Sequence, residues 1–271
     1  QHIAAPYFQP HGCRTKAMSK SPLKISDISA ERLSALHSGT VETTVLTECL
    51  AIDFASLMQN AFPTIGQDAL QTMHEAKDLG ISRRMMLAAQ LLLASTGGQA
   101  IGSLSAHPSD TVRGWACFAI GQLESLALSE RLKLIRPLAD DPHFGVREWA
   151  WLGLREHISS EIGQTIQLLT PWTADPSPYI RRFACEATRP RGVWSAHIKS
   201  LKEAPEKALS ILTPLRADPA PYVQDSVANW LNDAAKSRPE WVKALCADWL
   251  EASTNPATAR ICKRALRSFS K

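Results

Sequence analysis

Two stretches of this 271-residue chain place carboxylates, amides and guanidiniums at helical spacing. In the first, Arg181 and Arg182 lead to Cys185, Glu186 and Arg189, and steps of three and four residues put side chains on one face of a helix. In the second, Asp225 leads through Asn229, Asn232 and Asp233 to Lys236. These stripes are polar where a helix covered on two sides is ordinarily apolar. One reading is a solvated face; the other is a cleft where acids and cations gather for chemistry. Between the stripes, Pro190 stops a helix and leaves Arg189, Arg191 and Trp194 on an irregular segment. Arginine pairs with phosphate oxygens and an indole face packs on a sugar or base. The plain alternative is Trp194 filling a gap between helix pairs.

Other chemistries lack their residues. The cysteines at 13, 49, 117, 185, 246 and 262 lie far apart with no CxxC, which fits reduced thiols better than disulfides or zinc. There is no phosphate-binding glycine loop and no evident Ser/His/Asp constellation, so no metal or organic cofactor is expected. The net charge of +4 permits a polyanionic partner without demanding one. Basic residues concentrate in RRFACEATRPR (181–191) and in RICKRALRSFSK (260–271), the latter supplying Lys263, Arg264 and Arg267 without a single acid. Mean hydropathy is −0.14, and the longest apolar run, MMLAAQLLLA, is too short for a bilayer span. Residues 1–17 read as a leader, vector-derived or disordered, ahead of Met18, and lack a signal peptide's apolar centre. A cytoplasmic monomer is expected.

The elements that position these residues come from a repeat. Prolines at 108, 142, 176 and 219 are spaced by 34, 34 and 43 residues. Four residues after them stand Val112, Val146, Ile180 and Val223; next come Arg113, Arg147, Arg181 and Gln224; the sixth positions are Gly114, Glu148, Arg182 and Asp225. A shortened fifth unit starts near Pro256. Each proline stops one helix and fixes the turn into the next. A second amphipathic stretch, such as 129–139 or 162–173, completes the pair. Helix pairs at this period predict an all-α, HEAT-like solenoid with a concave binding face. Upstream the sequence predicts a short helix capped by Ser29 and ended by Gly39, a long one over 41–62, and others near 66–78 and 83–96. Residues 18–271 are thus expected to form one domain, with N-terminal helices over 18–100 and clear repeats over 101–271.

RRFACEATRPRGVW (181–194) followed by YVQDSVANWLNDAAKSRP (222–239) resembles the AlkC-type branch of the DNA alkylation-repair glycosylases, relatives of the AlkD type. The resemblance covers roughly 140–271. It implies excision of N-alkylated bases, such as 3-methyladenine or 3-methylcytosine, by hydrolysis of the N-glycosidic bond in base excision repair. The implied partner is double-stranded DNA carrying such bases. Carried over by position, Asp233 is a catalytic carboxylate and Glu148 its partner, with Glu161 a competing placement. Arg182 and Trp194 contact DNA, and the surrounding Arg181, Arg189, Arg191, Asn229, Asn232, Lys263, Arg264 and Arg267 complete the expected binding set. The competing function is a non-catalytic HEAT-like module that binds a nucleic-acid structure or a protein.

Overall fold

A computed structural model describes residues 24–192 and 194–269; the expected leader lies outside them. Among the described residues every regular element is helical, and none is long and apolar enough to cross a membrane. The chain divides into two compact units, one ending at Gln122 but including His143–Val146, the other made of Leu123–Pro142 and the residues from Arg147 onward.

The first unit contains α1 (Ala30–His37), α2 (Leu46–Ala51), α3 (Phe54–Ala61), α4 (Gln67–Glu75), α5 (Ile81–Thr96), α6 (Ile101–Ser105) and α7 (Asp110–Gln122). Ser29 caps α1 by accepting a hydrogen bond from the Arg32 N–H at 3.1 Å, and Gly39, at φ +72°, makes the left-handed turn after the helix. The single long helix expected over 41–62 is instead two, broken at Ile52–Asp53. The Asp53 carboxylate explains the break, because it accepts from the Ala55 N–H at 3.1 Å and the Ser56 hydroxyl at 2.6 Å and starts α3 afresh. Leu57, Met58, Met85, Leu92, Leu104 and Trp115 fill the interior, with Phe54 edge-on to Trp115 at 5.5 Å.

The second unit holds α8 (Leu128–Ala139), α9 (Phe144–Gly153, whose first turn belongs to the first unit), α10 (Arg155–Ser160), α11 (Ile162–Leu169) and α12 (Pro178–Glu186). It continues through α13 (Lys199–Glu203), α14 (Leu209–Leu215), α15 (Pro221–Ala235), α16 (Pro239–Ala252) and α17 (Pro256–Ala265). The polar residue five places after each anchoring proline is the clamp of the repeat. Arg113 donates to the carbonyls of His107 and Pro108 at 2.9 and 3.1 Å, and Arg147 to those of Asp141 and Pro142 at 2.7 and 2.8 Å. Arg181 repeats this on Asp175 and Pro176 at 2.8 and 2.9 Å, and Gln224 on Asp218 at 2.8 Å. Each clamp satisfies carbonyls left over where the preceding helix ends. A second recurrence, Pro137, Pro171 and Pro214, stands five residues before an anchor. Pro137 in α8 and Pro214 in α14 each forfeit one helical hydrogen bond close to the end of their helix. Ile180, Phe183, Val223, Val227 and Trp230 form the core under α12 and α15, and the Trp230 indole N–H donates to the Thr188 carbonyl at 3.0 Å.

Candidate active site

The clamp at Arg147 fixes the first turns of α9 and so places its neighbour Glu148. Glu148 Oε1 lies 2.6 Å from Arg182 Nη2, and Oε2 accepts the Trp151 indole N–H at 3.0 Å. Arg182 also lies 3.7 Å from Glu186, one turn on in α12. Glu186 in turn accepts from Arg189 at 2.8 Å and from the Ser226 hydroxyl of α15 at 2.5 Å. Arg189 reaches Asp233 Oδ2 with Nε at 2.9 Å and Nη2 at 2.7 Å, while Asp233 Oδ1 lies 3.6 Å from Lys236 Nζ. The two polar stripes are therefore one chain of alternating charge, Glu148–Arg182–Glu186–Arg189–Asp233–Lys236. Its outermost carboxylates differ: the Asp233 side chain is 6% exposed and that of Glu148 is 17% exposed.

Burial by itself disfavours every charge in this chain. For Arg182 the carboxylates of Glu148 and Glu186 and the Tyr222 hydroxyl outweigh it, and for Arg189 those of Glu186 and Asp233 do, so both guanidiniums bind their protons more tightly than usual. Glu186, between two arginines, is held well below the ordinary glutamate value despite its burial. At Asp233 burial wins over Arg189, and the carboxyl titrates above the ordinary aspartate value. Asp233 is thus a stronger base than a free carboxylate, and only one of its oxygens is engaged by Arg189.

Aromatic rings flank the Glu148 end. Trp194, 43% exposed, stacks on buried Trp149 with ring centroids 6.5 Å apart and planes inclined by 20°. Arg182 sits over the Tyr222 ring at 4.4 Å, and Arg147 lies over Tyr179 at 4.0 Å and donates to the Tyr222 hydroxyl at 3.2 Å.

The other expected residues are placed as follows. Arg181 pairs with Asp218 at 2.6 Å in addition to its carbonyl clamp, so it belongs to the repeat scaffold. Arg191 is half-buried and donates to Ser237 at 2.7 Å. Asn229 and Asn232 are buried rather than lying on an open stripe; Asn229 accepts from Arg267 at 3.0 Å, and Asn232 donates to the Ala265 carbonyl at 2.9 Å and to Ser268 at 2.7 Å. They fasten α15 to the chain's C-terminal segment. Arg264 lies 3.2 Å from Asp225, which also takes Arg260 at 2.7 Å, while Lys263 is exposed. Glu161 is exposed at the junction of α10 and α11, outside the charge chain.

A DNA alkylation repair enzyme family model matches residues 146–268, and a HEAT-repeat model matches residues 99–189. The structure of Pseudomonas fluorescens alkylpurine DNA glycosylase AlkC, bound to DNA containing an abasic site analog, superposes over 93% of this chain with a TM-score of 0.65 and 26% identity. Over residues 146–268 the chain is thus similar to the AlkC/AlkD-type DNA alkylation repair family. AlkD2 from Streptococcus mutans shares the fold of this chain, with a TM-score of 0.57 and 23% identity over 73% of this chain and 98% of its own. YhaZ of Bacillus subtilis (strain 168) is 33% identical over 93 residues, 34% of this chain. The chain spans 66% of the length of that AlkC chain and 26% of YhaZ.

Of three further participants in the charge chain and its surroundings, one stands on the stripe that the sequence shows and two are not singled out by it. Glu186 was legible, being four residues after Arg182 and three before Arg189. Tyr222 carried a weaker signal: it and Tyr179 both stand three residues after an anchoring proline. Arg155 carried none, because its partners are backbone carbonyls.

Proposed function

We propose that this protein is a DNA glycosylase that excises N-alkylated bases from duplex DNA by hydrolysing the N-glycosidic bond, in base excision repair. The observation that carries the reading is the charge chain, which holds Glu148 and Asp233 as preorganised carboxylates within a family devoted to alkylated DNA. A base alkylated at a ring nitrogen is already cationic, so its bond to C1′ is weak. That bond breaks with its electron pair passing to the base nitrogen, which leaves neutral. The sugar becomes oxocarbenium-like, and water adds to C1′ to give an abasic site.

Two tasks remain for the protein: to stabilise a transient cation and to orient and deprotonate a water. Asp233, raised in pKa by burial and offering Oδ1, suits the second. Glu148, fixed by Arg182 and Trp151 beside the Trp149–Trp194 stack, suits the first. Arg182 and Arg189 serve by holding the carboxylates, while Lys263, Arg264, Arg267 and Arg191 supply cations for the phosphates. No organic cofactor or metal enters this scheme.

The test is mass-spectrometric identification of bases freed from methylated duplex DNA by the purified chain. Release of 3-methyladenine or 3-methylcytosine, leaving alkali-sensitive sites, is the expected result. DNA that is bound but releases no base would replace the reading with a non-catalytic binding module.

A further inference from the structure

We infer that Arg155 is the positioning residue for the Trp194 indole, acting as a hub that holds both arms of the loop carrying it. The inference rests on the glycosylase reading for the indole's purpose, though not for its geometry. After α12 the chain turns at Thr188-Arg189-Pro190 and returns at Ile198, whose N–H donates to the Pro190 carbonyl at 3.0 Å and closes the loop at its base. Arg155, the first residue of α10, sends its guanidinium into this loop. Nη1 donates to the Ala187 carbonyl at 2.7 Å and Nη2 to that of Arg189 at 2.7 Å, both on the entering arm. Nη2 and Nε reach the Ala196 carbonyl on the leaving arm at 3.2 and 3.3 Å.

All four of these bonds end on backbone, and Arg155 is 5% exposed. Burial draws its pKa down to about 10, with Arg189 pushing the same way, so it remains a cation at neutral pH. A buried cation without a carboxylate at hydrogen-bond distance is costly to keep. What it offers in return is a rigid planar fan of N–H donors that can hold several carbonyls at once, which lysine cannot copy.

Two features of the loop depend on that hub. Trp194 has φ +58°, a left-handed conformation that an L residue rarely adopts, and such strain persists only where the surroundings enforce it. Gly192 lies against the guanidinium: a Cβ there would stand 3.3 Å from Arg155 Nη2 and would collide with Ser195 Oγ. The glycine lets the loop close onto Arg155, and the closed loop holds the half-exposed indole near-parallel to Trp149.

The experiment is a double-mutant cycle of Arg155→Lys and Trp194→Ala, read as affinity for a duplex containing a tetrahydrofuran abasic analogue relative to the undamaged duplex. Trp194→Ala is expected to lower that ratio about tenfold, the scale of one base–aromatic stack. Arg155→Lys should lower it by a similar factor, and the double variant should fall no further than Trp194→Ala alone. Gly192→Ala, which leaves Arg155 intact, should reproduce the loss and be masked in the same way, so the test survives if Arg155→Lys folds poorly. Factors that multiply, or an unchanged ratio in both Arg155→Lys and Gly192→Ala, would overturn the inference. Because the readout is binding, a non-additive cycle without base release would refute the glycosylase and keep the hub. Base release with an additive cycle would do the reverse.

Discussion

Helices α7 and α15 are both almost wholly buried, and they bury opposite things. In α7 the run Asp110–Ile120 is inaccessible, and beyond its first turn it consists of Gly114, Trp115, Ala116, Cys117, Phe118, Ala119 and Ile120. Its polar groups are confined to the start, where Asp110 accepts the Thr43 N–H at 2.9 Å and its hydroxyl at 2.7 Å and Arg113 clamps the preceding turn. Helix α15 instead carries Ser226, Asn229, Asn232 and Asp233 buried through its middle and end. Packing alone would favour apolar residues there, because buried ion pairs seldom outperform a well-fitted hydrophobic replacement. Polarity at the start of α7 serves the backbone; along α15, Asn229 and Asn232 fasten the C-terminal segment, while Ser226 and Asp233 join the charge chain.

The largest expected effect on the α7 side is Trp115→Ala. Removing this fully buried indole should cost about 3–5 kcal/mol of unfolding free energy in denaturant titrations, with a matching fall in Tm. On the α15 side the counterpart is Glu186→Gln, which strips the charge standing between Arg182 and Arg189. It should cost about 2–4 kcal/mol in the same titration and, unlike Trp115→Ala, depress base release beyond any loss of folded protein. Equal losses of activity per folded molecule in the two variants would erase the distinction.

The contrast extends to pH. In the first unit, Glu48 accepts two bonds from Arg32 at 2.7 and 2.8 Å, which together with Thr44 hold its carboxyl at about 2 against burial. A lowered folded pKa means that its stabilisation is complete above the unfolded value near 4.5 and is lost as pH falls toward 2. Allowing for the partly exposed Arg32, roughly 1–2 kcal/mol should disappear over that window in acid titration of stability, and Glu48→Gln should flatten it. Asp233 has the opposite sign. Its raised pKa means that the folded state holds the proton more firmly than the unfolded chain, so acid does not weaken the fold through this group. Under the proposed function acid instead removes the charge assigned to catalysis, and the acid limb of single-turnover base release should lie above the ordinary aspartate value. The smallest effect belongs to Arg113→Gln, which copies Gln224 of the fourth repeat; it should cost about 1 kcal/mol by denaturant titration, since one carbonyl clamp survives.

The difference between the two helices also explains how much was legible in the sequence. The repeat was open to view, because Pro142, Pro176 and Pro219 with their β-branched followers act locally on the turn they occupy. The break at Asp53 was not read, because its Asp-x-x-Ser start lies inside an apolar stretch whose periodicity runs on as one helix. The in-register positions Glu148 and Arg182 do meet at 2.6 Å. What residue type could not reveal is which polar group faces inward. Arg181 and Arg182 are adjacent in sequence, yet one holds a turn together and the other holds a carboxylate, and Asn232 proved to be a fastener for α17.

The most direct test of the central claim, that the chain of ion pairs exists to hold carboxylates for chemistry, is single-turnover release from methylated duplex DNA by Asp233→Asn, with affinity for abasic duplex measured alongside. The account predicts a loss in rate of about a hundredfold or more, with affinity within about threefold of the unaltered protein. Release at the unaltered rate, with the fold intact, would contradict it.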